Sequence, residues 1–329
     1  MANLETTYLG LELKNPIIVG SSGLTNSVSE IIELEQAGAG AIVLKSIFEE
    51  EILMEYQHIV EKSNDKYDSM AEYFDYLDYR IKQDKITAYI DLIKEVKAQV
   101  SIPVIASINC STNAEWAFFA KKIEEAGADA LEINVYFLPT DMSKRAEDFE
   151  KMYFDIVTKV RAETTLPIAL KLGSYFTNMA SFVRKISETG IYGVVLFNRF
   201  YSPDFDLKNQ SVITGHVFSS PDEYFLPLRW VSVLSNRVSC DIAASGGIHD
   251  GNSMIKMLLA GADAVQVVSA IYKNGREKIG QMLIQLDAWM DENEYQYISE
   301  FKGKLSQSAS TNPAIYERVQ FMKYYSDRV

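Results

Sequence analysis

One pattern occurs four times along the chain: a helix-like run ends in a turn of small residues, and a short apolar run follows at once. The four copies read LEQAGAGAIVLKS, IEEAGADALEINV, ISETGIYGVVLFN and LLAGADAVQVVSA. Glycine at the turn suits the left-handed backbone conformation that ends many helices. The apolar run lacks the alternation of a half-exposed strand, which is typical of a parallel strand buried on both faces. The pattern therefore predicts helices that alternate with buried parallel strands.

Four further apolar runs share this character without the preceding turn, at Ile17–Val19, Val104–Ile108, Ile168–Lys171 and Ile242–Ser245. The eight predicted strands fall near residues 17, 42, 105, 131, 168, 194, 242 and 265. They predict an α/β fold, a single (β/α)8 TIM barrel over residues 1–305. Two long insertions, 47–100 after the second strand and 199–237 after the sixth, are expected to be lids or binding loops. Residues 306–329 are expected to form a C-terminal extension packed on the barrel or in a subunit interface.

The composition narrows the classes of function. The chain has 329 residues, 47% of them hydrophobic, so it can bury a substantial core. Its formal net charge of −13 argues against a nucleic-acid or anionic-membrane surface, because phosphates would be repelled. Cys110 and Cys240 match no metal or redox spacing, and the three histidines show no ligand spacing. Without a signal segment or an apolar run near the ~18 residues of a membrane span, we expect a cytoplasmic protein with no metal site.

Polar and small residues stand where the predicted strands end, and in a (β/α)8 barrel the chemistry gathers at these carboxyl ends. They are Ser21, Ser22, Gly23, Lys45, Ser46, Asn109, Asn134, Lys171, Asn198, Ser245, Gly246, Gly247, Ser269 and Ala270. Two lysines and three amides among small residues can surround a flat polar heterocycle. The amides can hydrogen-bond its edge, and a lysine can hold negative charge that develops on it.

The last two predicted strands carry the pattern of a phosphate site. Gly246 and Gly247 follow the seventh strand, and Ser269 follows the eighth. Glycines let the backbone approach an anion, and amides at a short helix start can donate to it, although a plain tight turn is the alternative. Lys171 closes the run PIALKLG, so we expect a ligand to contact its buried ammonium. Lys45 could instead extend along the barrel rim.

In their order, these motifs resemble those of the dihydroorotate dehydrogenase family, over roughly residues 5–305. They are LELKNPIIVGSSG, GAIVLKS, ASINCSTN with Trp116, GADALEINV, IALKL, GVVLFN, SSP with LPLRWV, ASGGI and GADAVQVVSA. The run ASINCSTN is especially similar to the barrel half of dihydropyrimidine dehydrogenase, a relative of that family. The resemblance implies a flavin mononucleotide (FMN) prosthetic group and hydride transfer between a dihydropyrimidine-like C–C bond and the flavin.

The resemblance also implies which residues hold each part of FMN. The isoalloxazine would be lined by Ser21, Ser22 and Gly23, with Lys45 and Ser46 at its edge near the substrate. Hydrogen bonds to flavin or substrate would come from Asn109 and Asn134, and a bridge between the two from Asn198. Lys171 would face the N1/O2 side and stabilise the reduced, anionic flavin. The ribityl phosphate would be surrounded by Ser219, Ser220, Gly246, Gly247, Val268 and Ser269.

The segment after the fourth strand departs from the family pattern. There the family has Asn-Val-Ser-Cys-Pro-Asn, or Ser for Cys, and this Cys or Ser takes a proton from substrate C5 while hydride passes from C6 to the flavin. The chain reads NVYFLPT over residues 134–140, with one residue inserted before the proline. Phe137 occupies the base position and cannot take a proton. The family's MGLPN loop is replaced by SMAEYFDYL, and Arg199 stands where the family has Thr or Ser.

The first functional hypothesis is an FMN oxidoreductase with a replacement acid or base, whose catalytic set would be Tyr136, Lys45, Asn134 and Asn198. A phenol with an ordinary pKa of about 10 suits an acid better than a base. Arg199 or Lys144 could lower the pKa of Tyr136, or Asp141 could serve instead. Aromatic packing of Tyr136 and Phe137 over the flavin or the rim is the alternative.

Two other hypotheses differ in class. One is an authentic dihydroorotate dehydrogenase with a relocated base, and the other is a non-catalytic flavin-binding or electron-transfer subunit. An electron carrier would accept electrons only from its partner, whereas an oxidoreductase is reduced by a small substrate or nicotinamide. We expect a pyrimidine-like substrate, an unidentified electron acceptor, no nucleic-acid or membrane partner, and a homodimer. The chain lacks the clustered cysteines that an iron–sulfur cluster requires.

Overall fold

The computed structural model describes residues 2–48, 71–110, 116–135 and 137–317. The strands are β1 (Thr6–Tyr8), β2 (Leu11–Leu13), β3 (Ile17–Val19), β4 (Ala41–Val43), β5 (Ile47–Phe48), β6 (Val104–Cys110), β7 (Ala130–Val135), β8 (Ile168–Leu172), β9 (Gly193–Leu196), β10 (Pro203–Asp206), β11 (Ser211–Thr214), β12 (Asp241–Ser245) and β13 (Ala264–Val267). The helices are α1 (Val28–Gln36), α2 (Ala71–Gln99), α3 (Trp116–Glu125), α4 (Ala146–Glu163), α5 (Met179–Ser187), α6 (Phe225–Leu234), α7 (Gly251–Ala260), α8 (Ser269–Asn274) and α9 (Lys278–Glu292).

Eight strands form a closed barrel in which every pair of neighbours is parallel. Their order around the barrel is β3, β4, β6, β7, β8, β9, β12 and β13, and β13 pairs with β3 to close the ring. Each of the eight strand positions predicted from the sequence falls within one of them, so the predicted (β/α)8 barrel is confirmed. The turn glycines of the repeated pattern, Gly38, Gly127, Gly190 and Gly261, all have positive φ, as a left-handed helix end requires.

The barrel interior has an apolar layer and, above it, a polar one. The apolar layer includes Ile105, Ala169 and Val195, and the hairpin β1–β2 covers its amino-terminal end with Tyr8 and Leu9. The polar layer, nearer the carboxyl ends of the strands, consists of the buried residues Ser107, Glu132, Lys171 and Gln266. Alternate residues of a strand face the same side, so β7 presents Ala130, Glu132 and Asn134 to the interior in ascending order. Because of this order, a ligand bound at the barrel mouth would lie above the polar layer.

The first predicted insertion is described in part and the second in full. After β4 the chain forms β5, which pairs with β6, and later the 29-residue helix α2; residues 49–70 lie outside the described part. After β9 it forms the antiparallel ribbon β10–β11 and then helix α6.

After α9 the described chain runs back along the barrel to residue 317. The Leu305 N–H donates to the Leu259 carbonyl of α7, and the Gln307 N–H donates to the Ser232 carbonyl of α6. The division at 305/306 stays a prediction, as does the placement of 318–329, which lie outside the described residues. Over the part of the chain that the structure describes, no helix combines the length and the apolar character needed to cross a membrane.

Candidate active site

A cavity of about 500 Å³ opens at the carboxyl ends of β8, β9, β12 and β13. Its size lies in the usual range for small-molecule sites. Eight residues expected at the flavin lie in its wall: Ser21, Lys171, Asn198, Ser219, Gly246, Gly247, Val268 and Ser269. The structure therefore brings together residues from five separate strand ends and the loop before α6.

A hydrogen-bond network of three serines and an amide adjoins this cavity. Ser46 Oγ lies 3.0 Å from Ser21 Oγ and 2.7 Å from Ser107 Oγ. Asn134 Nδ2 donates to Ser46 Oγ at 2.9 Å and to Ser107 Oγ at 3.0 Å. The Asn134 Oδ1 atom is buried and, among the described residues, accepts no hydrogen bond. A buried acceptor of this kind is destabilising unless a ligand or water donates to it.

Asn109, Asn134 and Lys171 are neighbours across three strands. In the registers of β6, β7 and β8, Asn109 is paired with Asn134, and Asn134 with Lys171. The predicted proximity of these side chains follows from the barrel, because parallel strands in register place their carboxyl ends at one edge. Asn109 is half-buried and is not part of the cavity wall.

Lys171 has protein partners in addition to the ligand contact that the sequence predicts. Lys171 Nζ donates to Gln266 Oε1 at 2.7 Å and lies 3.4 Å from Glu132 Oε1. Gln266 Nε2 in turn donates to Glu132 Oε2, so the three buried side chains form a closed ring. The protein itself therefore provides the counter-charge that burial of an ammonium requires.

The loops after β12 and β13 form the end of the cavity where a phosphate was expected. Among the described residues, the N–H groups of Gly246 and Gly247 donate no hydrogen bond. A Cβ on Gly246 would meet no atom within 4 Å, whereas one on Gly247 would lie 2.1 Å from the Tyr224 nitrogen. Gly247 is thus required for the close approach of the segment before α6, and Gly246 borders open space.

Ser219 and Ser269 are held beside these glycines. The Ser219 N–H donates to Ser269 Oγ at 3.0 Å, and Lys273 Nζ donates to the Ser219 carbonyl at 2.8 Å. Ser219 Oγ lies 2.9 Å from His249 Nε2. Burial, and then the nearby charge of Lys273, lower the pKa of His249 below its ordinary value. The neutral imidazole therefore dominates at neutral pH and can exchange one hydrogen bond with the serine hydroxyl.

Several predicted residues lie outside the main cavity wall. Lys45 and Ser46 line a neighbouring cavity of about 520 Å³ beside α2. Ser22 caps the short 3-10 turn that contains Gly23, and a Cβ on Gly23 would lie 2.7 Å from the Tyr272 hydroxyl at the cavity. The exposed Ser220 donates its N–H to Glu223 Oε1 at 2.9 Å. Ser46, Gly23 and Ser220 lie next to residues of the main cavity wall, namely Ser21, Tyr272 and Glu223.

Phe137 packs in an aromatic cluster on the outer side of the mouth. Its ring meets Tyr153 edge to face with centroids 5.6 Å apart, and Tyr153 also contacts Phe176 and Phe182. Phe137 is absent from the described wall of the main cavity. The aromatic-packing alternative thus accounts for Phe137. Tyr136 lies outside the described residues.

Arg199, which follows β9, binds the loop 216–223 that borders the cavity. Its guanidinium pairs with Glu223 and donates to the His216 carbonyl at 2.8 Å and the Phe218 carbonyl at 3.3 Å. Burial alone would raise the pKa of Glu223, but hydrogen bonds from the Ser220 N–H and from Arg199 lower it below the ordinary value. The charges of Arg199 and Glu223 therefore neutralise each other within the cavity wall.

Asp141 and Lys144, the other candidate proton-transfer partners, form a surface pair. Their charged atoms are 3.7 Å apart, and neither residue lines the main cavity. Hydrogen bonds from the Ser143 side chain and backbone lower the pKa of Asp141 below its ordinary value. An exposed, ionised carboxylate bound to its own loop is poorly placed to replace the missing base.

Glu132, Gln266 and Ser107 were not predicted; they belong to the buried polar layer below the cavity, and Gln266 also lies in the cavity wall. For two of them the sequence carries a signal: ALEINV contains Glu132 besides Asn134, and AVQVV contains Gln266, each in an otherwise apolar strand. A charged or amide side chain in a strand buried on both faces requires a buried partner. Which residues would pair depended on the barrel registers, which no local pattern shows.

Comparison with known proteins identifies the family of the chain. The family model described as dihydroorotate dehydrogenase matches residues 79–290. Three curated relatives carry the name dihydroorotate dehydrogenase B (NAD(+)), catalytic subunit. The Thermoplasma volcanium protein is 26% identical over 92% of this chain and 98% of its own length. The Pyrococcus abyssi protein is 26% identical over 91% and 98%, and the Methanothermobacter thermautotrophicus protein 26% identical over 91% and 97%. The chain belongs to the dihydroorotate dehydrogenase family.

Proposed function

We propose that this protein is an FMN-dependent oxidoreductase that transfers hydride between a dihydropyrimidine-like C–C bond and the flavin. The observation that carries the proposal is Asn134, whose buried Oδ1 accepts no hydrogen bond from any described residue. Its amide donates to Ser46, which contacts Ser21 in the wall of the cavity of about 500 Å³. Membership of a family of flavin-dependent oxidoreductases that act on CH–CH bonds supports the same reaction class.

The donors and acceptors around the cavity fit FMN. Asn134 Oδ1 would accept from a ring N–H, and the N–H groups of Gly246 and Gly247 would donate to the phosphate. Ser219 and Ser269 offer hydroxyls at the same end. FMN bound there would supply the hydride acceptor, which no side chain can provide.

The chain's own residues would prepare the cavity for this chemistry. Lys171 holds a positive charge at the floor, where it can stabilise negative charge that develops on a bound ring. Arg199 and Glu223 hold the loop 216–223 over the cavity, which restricts access of water. Asn198, whose N–H donates to the Leu172 carbonyl at 2.7 Å, is fixed at the edge shared by flavin and substrate in this proposal.

The proton-transfer group is proposed to be Tyr136, because Phe137 at the family's base position packs in the aromatic cluster. Lys45, Asn134 and Asn198 complete the proposed catalytic set. Dihydroorotate itself is the second candidate substrate, and the names of the relatives favour it. The changed residues at the base position and at Arg199 favour a ring with a different substituent.

A separate electron acceptor belongs to the proposal. The relatives are named catalytic subunits of an NAD(+) enzyme, which supports a partner subunit for this chain as well. With only two cysteines, the chain cannot bind a four-cysteine iron–sulfur cluster by itself. We propose that electrons leave the flavin to a separate protein.

The test of the cofactor site is a titration of flavin-free protein with FMN, followed by quenching of flavin fluorescence. We expect one FMN per chain, with at least tenfold weaker binding in Asn134→Leu, a loss of about 1.4 kcal/mol. The matched control is Asn293→Leu at the end of α9, whose amide donates to the Trp289 carbonyl and which should bind FMN as the wild type does. Wild-type protein that binds no FMN would overturn the proposal.

A further inference from the structure

The buried side chains of Lys171, Glu132 and Gln266 form more hydrogen bonds than are needed to neutralise the lysine charge alone. Both Glu132 oxygens are used, one by the ammonium and one by Gln266 Nε2. Gln266 accepts from Lys171 through Oε1 and donates to Glu132 through Nε2, which is the one amide orientation that satisfies both charges. The side chains of Lys171 and Glu132 are 9% and 1% exposed.

Lys171 is the member of the ring that also reaches the cavity. An ammonium has three N–H donors, and the ring uses two of them. Among the described residues the third donor has no acceptor, while Lys171 and Gln266 both line the cavity wall. The ring, which is neutral as a whole, therefore leaves one N–H of the ammonium available to a ligand in the cavity.

We propose that Glu132 is a positioning residue that keeps Lys171 charged and oriented toward the bound cofactor. Burial of a lone ammonium favours the neutral amine, and a carboxylate in contact reverses that preference. This inference rests on the proposed function, since it concerns the charge that the chain presents to FMN. Glu132 itself does not touch the cofactor, because both its oxygens are turned to the ring.

In the part of the chain that the structure describes, the other ionisable groups near the ring do not take over this role. Arg199 and Glu223, across the cavity, pair with each other. Tyr272 lines the cavity mouth on α8, and Tyr8 lies below the ring at the hairpin end of the barrel. Burial, and then the charge of Glu132, raise the pKa of Tyr8 well above its ordinary value, so Tyr8 stays neutral.

The test uses sulfite, which adds to oxidised flavin and leaves negative charge on the ring. Sulfite dissociation constants of the FMN-loaded wild type and Glu132→Gln are measured between about pH 6 and pH 9 from the bleaching of the flavin. Their ratio removes the pH dependence of sulfite itself. With Glu132 gone, Lys171 is expected to lose its proton within this range, so the ratio should change at least tenfold. A carboxylate with a merely structural role would leave the ratio constant, and that result would overturn the proposal.

Two further variants separate charge from position. Glu132→Gln combined with Gln266→Glu moves the carboxylate to the site 2.7 Å from Lys171 Nζ and should restore the constant ratio. Glu132→Gln combined with Lys171→Met should also give a constant ratio, because the titrating group is gone. If Glu132→Gln fails to fold, the exchanged pair is compared with wild type instead: a sulfite ratio that stays constant over the pH range supports the proposal, and a ratio that changes with pH overturns it.

FMN binding by the wild type is measured first. A wild type that binds no FMN contradicts the proposed function, whereas one that binds FMN while Glu132→Gln leaves the sulfite ratio constant contradicts only the role of Glu132.

Discussion

Gly246 and Gly247 are adjacent and both have positive φ, yet their surroundings differ. At Gly247 a Cβ would collide with the backbone of Tyr224, while at Gly246 it would meet open space. We expect Gly246→Ala to destabilise the protein by about 1–2 kcal/mol, the usual penalty for a left-handed alanine. Gly247→Ala should cost roughly twice as much, since the segment before α6 must also move. Urea unfolding of both variants checks this, and equal losses would contradict it.

At the residue scale, the sequence indicated where functional groups stand but not how they pair. Lys171 could be placed at a strand end, but its partner Glu132 is 39 positions away and Gln266 is 95 away. Such pairs arise only once the barrel closes and sets the registers. For Phe137, likewise, the sequence showed that it stands at the family's base position. Its direction of packing could not be predicted, because it depends on the contact with the Tyr153 ring on α4.

The β1–β2 hairpin is the element that closes the lower end of the barrel. Its Tyr8 hydroxyl is buried and, within the described residues, makes no hydrogen bond. Tyr8→Phe should therefore leave the free energy of unfolding within about 0.5 kcal/mol of wild type or raise it, since an unpaired buried hydroxyl is destabilising. Tyr89→Phe is the matched control on α2. The Tyr89 hydroxyl accepts from the Ser107 N–H at 2.7 Å and donates to the Ser107 carbonyl at 3.1 Å.

We expect Tyr89→Phe to lower the free energy of unfolding by about 1–3 kcal/mol, because the buried Ser107 groups lose their partner. Denaturant unfolding of both variants at one pH measures the difference. A larger loss in Tyr8→Phe than in Tyr89→Phe would show that the hairpin hydroxyl has a partner after all.

The contact between the hairpin and β12 makes stability depend on pH. Asp241 Oδ2 accepts from the Leu9 N–H at 2.7 Å. Burial, and then the charge of Asp263, raise the pKa of Asp241 to about 6. The fold thus favours the protonated acid, so its contribution to stability is present below the ordinary pKa of 3.8 and is lost as pH rises through about 6.

Asp241→Asn keeps an acceptor for Leu9 and removes the ionisation. We expect this variant to gain stability relative to wild type between about pH 5 and pH 7.5. Asp206→Asn is the control, because hydrogen bonds from Asn209 lower the pKa of the exposed Asp206, and its difference from wild type should stay constant over this range. The free energies of unfolding of the variants and the wild type are measured at both pH values. A difference between Asp241→Asn and wild type that does not change with pH would contradict the raised pKa of Asp241.

At the element scale, apolar runs without polar alternation were sufficient to place the eight barrel strands, four of them also marked by a preceding small-residue turn, because these strands are buried on both faces. The ribbon β10–β11 was not predicted as strands. Its residues alternate little, and every residue except Asp206 is exposed, so no buried face imposes a period. Hairpin β1–β2 was not predicted either, because its two strands of three residues each are too short to show a pattern.

For the whole molecule, the exposed apolar ribbon bears on the predicted homodimer. Phe205 and Val212 on the two strands are 67% and 63% exposed, and Leu207 between them is 88% exposed. Exposed apolar patches of this kind often mark protein interfaces. We expect the native mass to be twice the 37.1 kDa of one chain.

Phe205→Lys should shift this mass toward the monomer, because a charge would be buried at the interface. Ile284→Lys, at an equally exposed position on α9, should leave the mass unchanged. Light scattering after size exclusion measures all three proteins. A monomeric wild type, or a dimer that Phe205→Lys leaves intact, would count against this prediction.

The most direct test of the proposed oxidoreductase is an anaerobic absorbance spectrum of the FMN-loaded protein, before and after addition of dihydroorotate or dihydrouracil. We expect an oxidised flavin spectrum that bleaches with at least one of these rings, and slower bleaching in Tyr136→Phe. Flavin that stays oxidised with both rings would contradict hydride transfer from a dihydropyrimidine.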